Sequence, residues 1–274
     1  MNRLGNILFH GNDPARADRM GAVLAEGNCN VVVCETADEL RAEAGGSHPD
    51  LVIIDVGALG RPGIATAAAL RQRKPETVPV VLWAEEALPG LYEEALGARA
   101  DDLFDGKLDT VGAAELMLRL RPLMRLSTQY AEVRRRIALA REFGVSIPKD
   151  PDLSVGDGPY RVLAVGRSPA LERRVVAALA KRAKGVDFRG DPLEGRDYLF
   201  DGDYDAAVLE VGGGLSGDDA LEFCRMVRNH PHLYNLPLVI IDELGRELPR
   251  DETVRAGASL VLAAATGENR LRYF

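Results

Sequence analysis

A glycine-rich stretch following an apolar run is the first feature of this sequence that could do chemistry. In "VGGGLSGDD" (211–219), successive backbone N–H groups could cradle a phosphate. The stretch has neither a Walker lysine nor a GxGxxG spacing, so it reads as a tight loop after a strand. His230 and His232 flank Pro231 and could clasp a metal, but the pattern supplies no third ligand and predicts a surface turn. His10 and His48 are dispersed. Cys29, Cys34 and Cys224 form no CxxC pair and are odd in number. That is the usage of small apolar side chains in a reducing compartment, not of a disulfide or metal framework. No Ser–His–Asp or Cys–His arrangement follows from the spacing, and no pattern supports an enzyme in its own right.

These residues are carried by short apolar runs. Ile7–Phe9, Val31–Val33, Leu51–Ile54, Val78–Leu82 and Leu103–Phe104 predict strands, and the stretches between them carry helical spacing. Five alternations of this kind predict a parallel, doubly wound sheet. The pattern then recurs in Val162–Val165, Gly185–Phe188, Ala206–Leu209, Leu238–Ile241 and Leu260–Leu262, with helices predicted over Leu171–Ala183 and Asp218–Arg228. "DLVIIDVG" (50–57) matches "DAAVLEVG" (205–212) at an offset of 155, and "VPVVL" (78–82) matches "LPLVI" (236–240) at 158. A repeat on that scale is a duplication of whole domains. The fold class is therefore α/β, two flavodoxin-like, five-stranded parallel-sheet domains in tandem. Their bounds are 1–144 with a long connecting helix, a linker over 145–158, and 159–274.

The connecting pattern runs over Ala113–Gly144. Leu116, Leu120, Leu123, Leu126 and Tyr130 step by three and four, an apolar seam flanked by Arg and Glu. Its first part is expected to pack on its own sheet and the remainder to join domains or subunits. Pro122 is expected to kink or divide it.

Composition narrows the partners. Of 274 residues, 46% are hydrophobic and only 5% aromatic, which suits aliphatic strands buried on both faces. The net charge of -8 disfavours nucleic acid or an anionic membrane as the main partner. Arg134, Arg135 and Arg136 are the local exception and read as a solvated helix face. There is no basic-then-apolar leader and no apolar run of the ~18 residues that a membrane span needs, so a cytoplasmic protein is expected.

The motifs resemble the response-regulator receiver family, whose fold is CheY-like. "DLVIIDVGALGRPG" resembles that family's third strand with its phosphoacceptor aspartate, "VPVVLWAEE" its fourth strand, and "EALGARADDLFDGKLD" its segment "A..AGADDYLTKPFD". Two receivers joined by a long helix also resemble regulators of the PleD and PopA type, in which a diguanylate-cyclase-like domain follows. No such signature is present here, and the chain stops in "NRLRYF", barely into the expected last helix, so a longer parent protein is expected.

The resemblance implies specific groups. Two acidic residues after the first strand and the acceptor aspartate hold Mg²⁺, while a Ser or Thr after the fourth strand and a Lys after the fifth bind the phosphoryl oxygens. In the first copy the acceptor is Asp55. The acidic pair aligns with Gly11 and Asn12, with Asp13 one residue along. The Thr position is Ala84, the aromatic switch position Leu103, and the Lys position Gly106, with Lys107 displaced by one. In the second copy the acidic pair aligns with Gly166 and Arg167, the acceptor with Glu210, the Thr with Asp242 and the Lys with Ala264. The Mg²⁺ site is poor and no other cofactor is implied. An Arg167–Glu210 pair is one expectation for the second site, a solvated Glu210 the other.

Two functions remain open on this reading. One is a pseudo-receiver pair that recruits other proteins and pairs with itself. For the PopA type this means adaptor recruitment in regulated proteolysis and cell-cycle control, at the cell pole, with cyclic di-GMP sensed by a further domain. The other is the regulatory half of a PleD-like cyclase, switched through Asp55.

Overall fold

Each short aliphatic run becomes a strand in the computed structural model, which describes residues 5–73, 78–86, 90–145, 160–179, 183–212, 215–243, 248–263 and 271. The strands fall into two compact units, Met1–Val155 and Gly156–Phe274. In the first, β1 (Gly5–His10), β2 (Cys29–Cys34), β3 (Leu51–Asp55), β4 (Val80–Ala84) and β5 (Asp102–Asp105) pair in the order β2-β1-β3-β4-β5. Every pairing is parallel. Helices α1 (Pro14–Glu26), α2 (Ala37–Gly46), α3 (Val56–Leu59), α4 (Arg61–Arg73), α5 (Leu91–Gly97) and α6 (Thr110–Glu142) connect and follow them.

The second unit repeats the plan. Strands β6 (Tyr160–Val165), β7 (Ala183–Arg189), β8 (Ala206–Val211), β9 (Leu238–Asp242) and β10 (Leu260–Ala263) pair in parallel in the order β7-β6-β8-β9-β10. Between them lie α7 (Pro169–Leu179), α8 (Pro192–Asp201), α9 (Gly217–Asn229) and α10 (Arg250–Ala256). Strands β3, β4 and β9 are buried along their whole length, as central strands covered on both faces must be.

The duplication extends to single hydrogen bonds. The Asn6 N–H donates to Asp50 Oδ2 at 2.8 Å, and 155 residues on the Arg161 N–H donates to Asp205 Oδ2 at 2.8 Å. The Val52 N–H reaches the Pro79 carbonyl at 2.9 Å, as Ala207 reaches Pro237. In both sheets the strand order reverses beside the first strand of the unit. The crevice at the carboxyl ends of β1 and β3, or of β6 and β8, is where a doubly wound sheet presents its site.

Three sequence expectations need correction. Pro122 does not divide the long helix, because α6 runs unbroken through it. Pro122 is exposed, so the carbonyl it leaves without a donor can turn to water. Leu116, Leu120 and Met124 are buried to either side and hold the helix down. The helix expected over 171–183 does not reach its expected end, because Ala183 already belongs to β7; its described part runs to Leu179, and residues 180–182 lie outside the described residues. The first residues of "VPVVL" precede the strand, which begins at Val80. Of the expected linker, residues 146–158 lie outside the described residues.

Candidate functional site

Asp55 closes β3, fully buried, with its carboxylate turned into the crevice beside α1. Local sequence places its partner. Asp13 caps α1 by accepting from the Ala15 and Arg16 N–H groups, and Pro14 at the first helical turn fixes the helix start. That start aims Arg16 at the strand ends. Arg16 Nε donates to Asp55 Oδ2 at 2.5 Å and Nη2 to Oδ1 at 2.8 Å, a bidentate fork. The Ala58 N–H adds a bond to Oδ1 at 3.0 Å. Arg16 Nη1 meets Glu85 at 2.8 Å, Arg19 meets the other oxygen of Glu85 at 2.9 Å, and the Arg16 guanidinium lies 4.3 Å from the Trp83 ring centre. The hydrogen bond to Asp55 raises the Arg16 pKa against the opposing effect of burial, so the cation is permanent.

The surrounding glycines are room for these groups. A Cβ on Gly57 would stand 2.8 Å from Arg16 Nη2. One on Gly11 would stand 2.9 Å from the Phe9 ring and 3.3 Å from the Asp55 Cβ, so an acidic side chain there would force Phe9 aside. A Cβ on Gly106 would meet the Phe104 ring at 2.9 Å, which bars a lysine in the present packing. Asp13 is spent as a helix cap, Ala84 is buried at the end of β4, Leu103 is buried within β5, and Lys107 is exposed. The residues present therefore do not fit Mg²⁺: one carboxylate is available, and both its oxygens are on a guanidinium. Among the described residues, no three His, Cys, Asp or Glu side chains gather as a metal site.

The second site is built differently. Glu210, also fully buried, is the next-to-last residue of β8, before Val211. It accepts from the Ser168 N–H at 3.0 Å and from the Ser168 hydroxyl, whose oxygen in turn accepts from the Leu171 N–H at 3.0 Å. Neither expectation for this glutamate holds. Arg167 is exposed and donates to the Gly190 carbonyl at 2.9 Å, away from Glu210, and Glu210 is not solvated. A Cβ on Gly166 would stand 2.7 Å from Glu210. At the offset of 155, Leu171 replaces Arg16, while Arg174 replaces Arg19 and pairs with Glu243 at 2.9 Å as Arg19 pairs with Glu85. Asp242 is buried at the end of β9, and Ala264 lies outside the described residues.

Two sheets of one strand order, each with a buried carboxylate closing its middle strand beside the first helix, have the arrangement that the motifs resemble. Both copies have the receiver-like, flavodoxin-like fold. No known protein-family profile matches the chain. The cyclic di-GMP phosphodiesterase response regulator RpfG of Xanthomonas campestris pv. campestris (strain 8004) is 33% identical over 85 residues, 31% of this chain and 22% of RpfG. The BeF3-activated N-terminal receiver domain of Klebsiella pneumoniae RstA is 26% identical, covering 44% of this chain and 98% of that one, with a TM-score of 0.39. A two-component system response regulator/GGDEF domain protein is 14% identical, covering 97% of this chain and 94% of that one, with a TM-score of 0.40.

The remaining receiver features resolve as follows. In the seam, Leu116 and Leu120 are fully buried in the first unit's own core and Leu123 packs against it, so these three do not form an intermolecular face. Arg119 fixes that docking through Asp102 at 3.3 Å and the Leu103 carbonyl at 3.0 Å. Leu126 and Tyr130 are half-buried further along α6. Arg135 and Arg136 pair with Glu132 along the helix. Gly212 and Ser216 bracket the glycine-rich loop, and Ser216 caps α9 in a capping box with Asp219, so the loop's described end serves a helix start. His230 stacks on Phe200 at 4.5 Å. Burial pushes the Cys34 thiol up to about 11 and the Cys224 thiol up to about 12.

Sequence reasoning missed Arg16, Glu85 and Ser168. A signal existed for the first: Arg16 and Arg19 follow a cap-plus-proline helix start that must face the strand ends. The repeat offset marks Arg16 as the residue that its copy lacks.

Proposed function

We propose that the chain is a signalling scaffold without catalysis of its own, in which two receiver-type domains bind other proteins and pair with a second copy of the chain. The observation that carries this reading is the occupation of both Asp55 oxygens by Arg16. A phosphoryl group and its metal would have to displace a buried, charge-assisted fork, with no acid at Gly11 or Asn12 to help. The second site has a glutamate where an acceptor would stand, held by its own serine. The identity with RpfG supports a cyclic di-GMP setting, with recruitment of the PopA type, cytoplasmic and at the cell pole, as the finer form. Pieces 1–144 and 159–274 are proposed as separately folding domains, partner binding resting on the first.

Beryllofluoride with Mg²⁺ is expected to leave Trp83 fluorescence and the mass in solution unchanged. A saturable change abolished by Asp55→Asn would reverse the reading in favour of a phosphorylation switch ahead of a cyclase, which the retained Asp55 itself favours. Self-association is assigned to the outer part of α6. Leu126→Lys is expected to lower the dimer fraction by light scattering, and a monomeric wild type at high micromolar concentration would overturn it.

A further inference from the structure

The bond between Arg16 and Asp55 is one rung of a longer ladder. Asp55 ends β3 and Glu85 follows the end of β4, and a single guanidinium grips both, at 2.5 and 2.8 Å on one side and 2.8 Å on the other. Arg19, one turn along α1, holds the second oxygen of Glu85. The sequence of contacts Asp55–Arg16–Glu85–Arg19 thus joins two strand ends through a helix. The guanidinium lies on the buried Trp83 ring, which fixes its plane, and Gly57 leaves the space that its Nη2 fills. In the second unit the inner rung is missing. Leu171 stands in place of Arg16, Glu210 turns to Ser168, and only the outer pair Arg174–Glu243 is kept.

We propose that Arg16 is a built-in latch: its guanidinium spans Asp55 and Glu85 and ties the ends of β3 and β4 together, holding the first domain in one state without any bound ligand. The planar fork is what the job needs. It offers two parallel donors to one carboxylate and a third, opposed donor to another, which the point charge of a lysine cannot do. A domain held in this way presents the ends of β3 and β4 in a fixed arrangement to whatever binds it. Population shift by a ligand then requires the latch to open first. The second domain lacks the span: Leu171 stands where Arg16 would reach both carboxylates, and Arg174 pairs with Glu243 at 2.9 Å.

The latch rests on the reading of the first domain as one that does not switch. It is tested by amide hydrogen exchange on the full chain, comparing peptides over residues 80–97 with those over 238–243. Arg16→Lys keeps a positive charge beside Asp55 and loses the span. Glu85→Gln leaves the Asp55 fork whole and weakens only its far end. Gly57→Ala puts a methyl group against Nη2. Arg16→Lys and Gly57→Ala are each expected to raise exchange over 80–97 by about tenfold or more and Glu85→Gln by about threefold, leaving 238–243 unchanged and circular dichroism as in the wild type. Wild-type exchange in both Arg16→Lys and Glu85→Gln would overturn the latch and leave the scaffold reading standing. Phosphoryl mass gained by wild-type Asp55 would instead overturn the scaffold reading. If Arg16→Lys unfolds, Glu85→Gln decides alone.

Discussion

Asp55 and Glu210 stand at matching strand ends and are both fully buried, yet one is held by a cation and the other by a hydroxyl and a backbone N–H. The difference shows two ways of keeping a carboxylate out of water. The first supplies a countercharge, which offsets desolvation only while the partner stays in place. The second supplies neutral donors that also cap a helix, so the same serine serves the fold and the site. Two positions decide between them: arginine at 16 against leucine at 171, and aspartate at 13 against serine at 168. The first domain accordingly depends on one side chain for both its site and its strand-end bridge, while the second has separated the two.

The sharpest way to break this comparison is Arg16→Met, which leaves Asp55 buried and unpaired. Loss of about 3–5 kcal/mol is expected, confined to the first domain's urea transition. An equal shift in both transitions, or none, would show that the two carboxylates are held alike. Ser168→Ala is the counterpart and should lower the second domain's stability by about 1–3 kcal/mol, since the Leu171 N–H at the helix start loses its acceptor and the buried Glu210 loses a hydroxyl donor together.

A third test uses the cysteines, Cys34 in one domain and Cys224 in the other. With thiols raised to about 11 and about 12, burial being the first cause in each, both stay protonated at neutral pH. The folded state binds the thiol proton more tightly than the unfolded chain. The stabilisation is therefore complete below the ordinary thiol value of 9.0 and lost as pH climbs toward about 11 in the first domain and about 12 in the second. Alkylation by iodoacetamide at pH 8 is expected to be slow at both, since each thiol is buried and protonated, and a fast Cys224 would contradict its packing. The smallest effect is that of Glu85→Gln on global stability, under about 1 kcal/mol by urea, since its carboxylate is partly solvated.

The fold was legible because its strands are aliphatic runs of the length a buried parallel sheet requires, and because the second half repeats the first at one offset. The glycines at 11 and 166 were legible as lost acids. Arg16 was legible only as one of two candidates: the capped, proline-led start of α1 faces the strand ends, but nothing in a linear reading says whether Arg16 or Arg19 reaches Asp55, 39 positions away. Arg167 was misread for the same reason, its side chain turning to Gly190. Leu116 and Leu120 show a further limit. A three-and-four spacing is the same whether a helix lies on its own sheet or on a partner, and only burial separates the two.

The shared register of the two sheets bears on how the chain folds. Two sheets with matching strand-end hydrogen bonds are rival templates on one chain, and tandem domains of this kind misassemble when a strand of one enters the sheet of the other. Divergence at inward positions opposes that exchange. Phe9 and His10 of β1 correspond to Ala164 and Val165 of β6, and a strand carrying the larger pair overfills the second core while the smaller pair leaves a void in the first. The cores of the two units thus differ in the same strand that leads into each carboxylate site, and each strand fits its own sheet better than the other's.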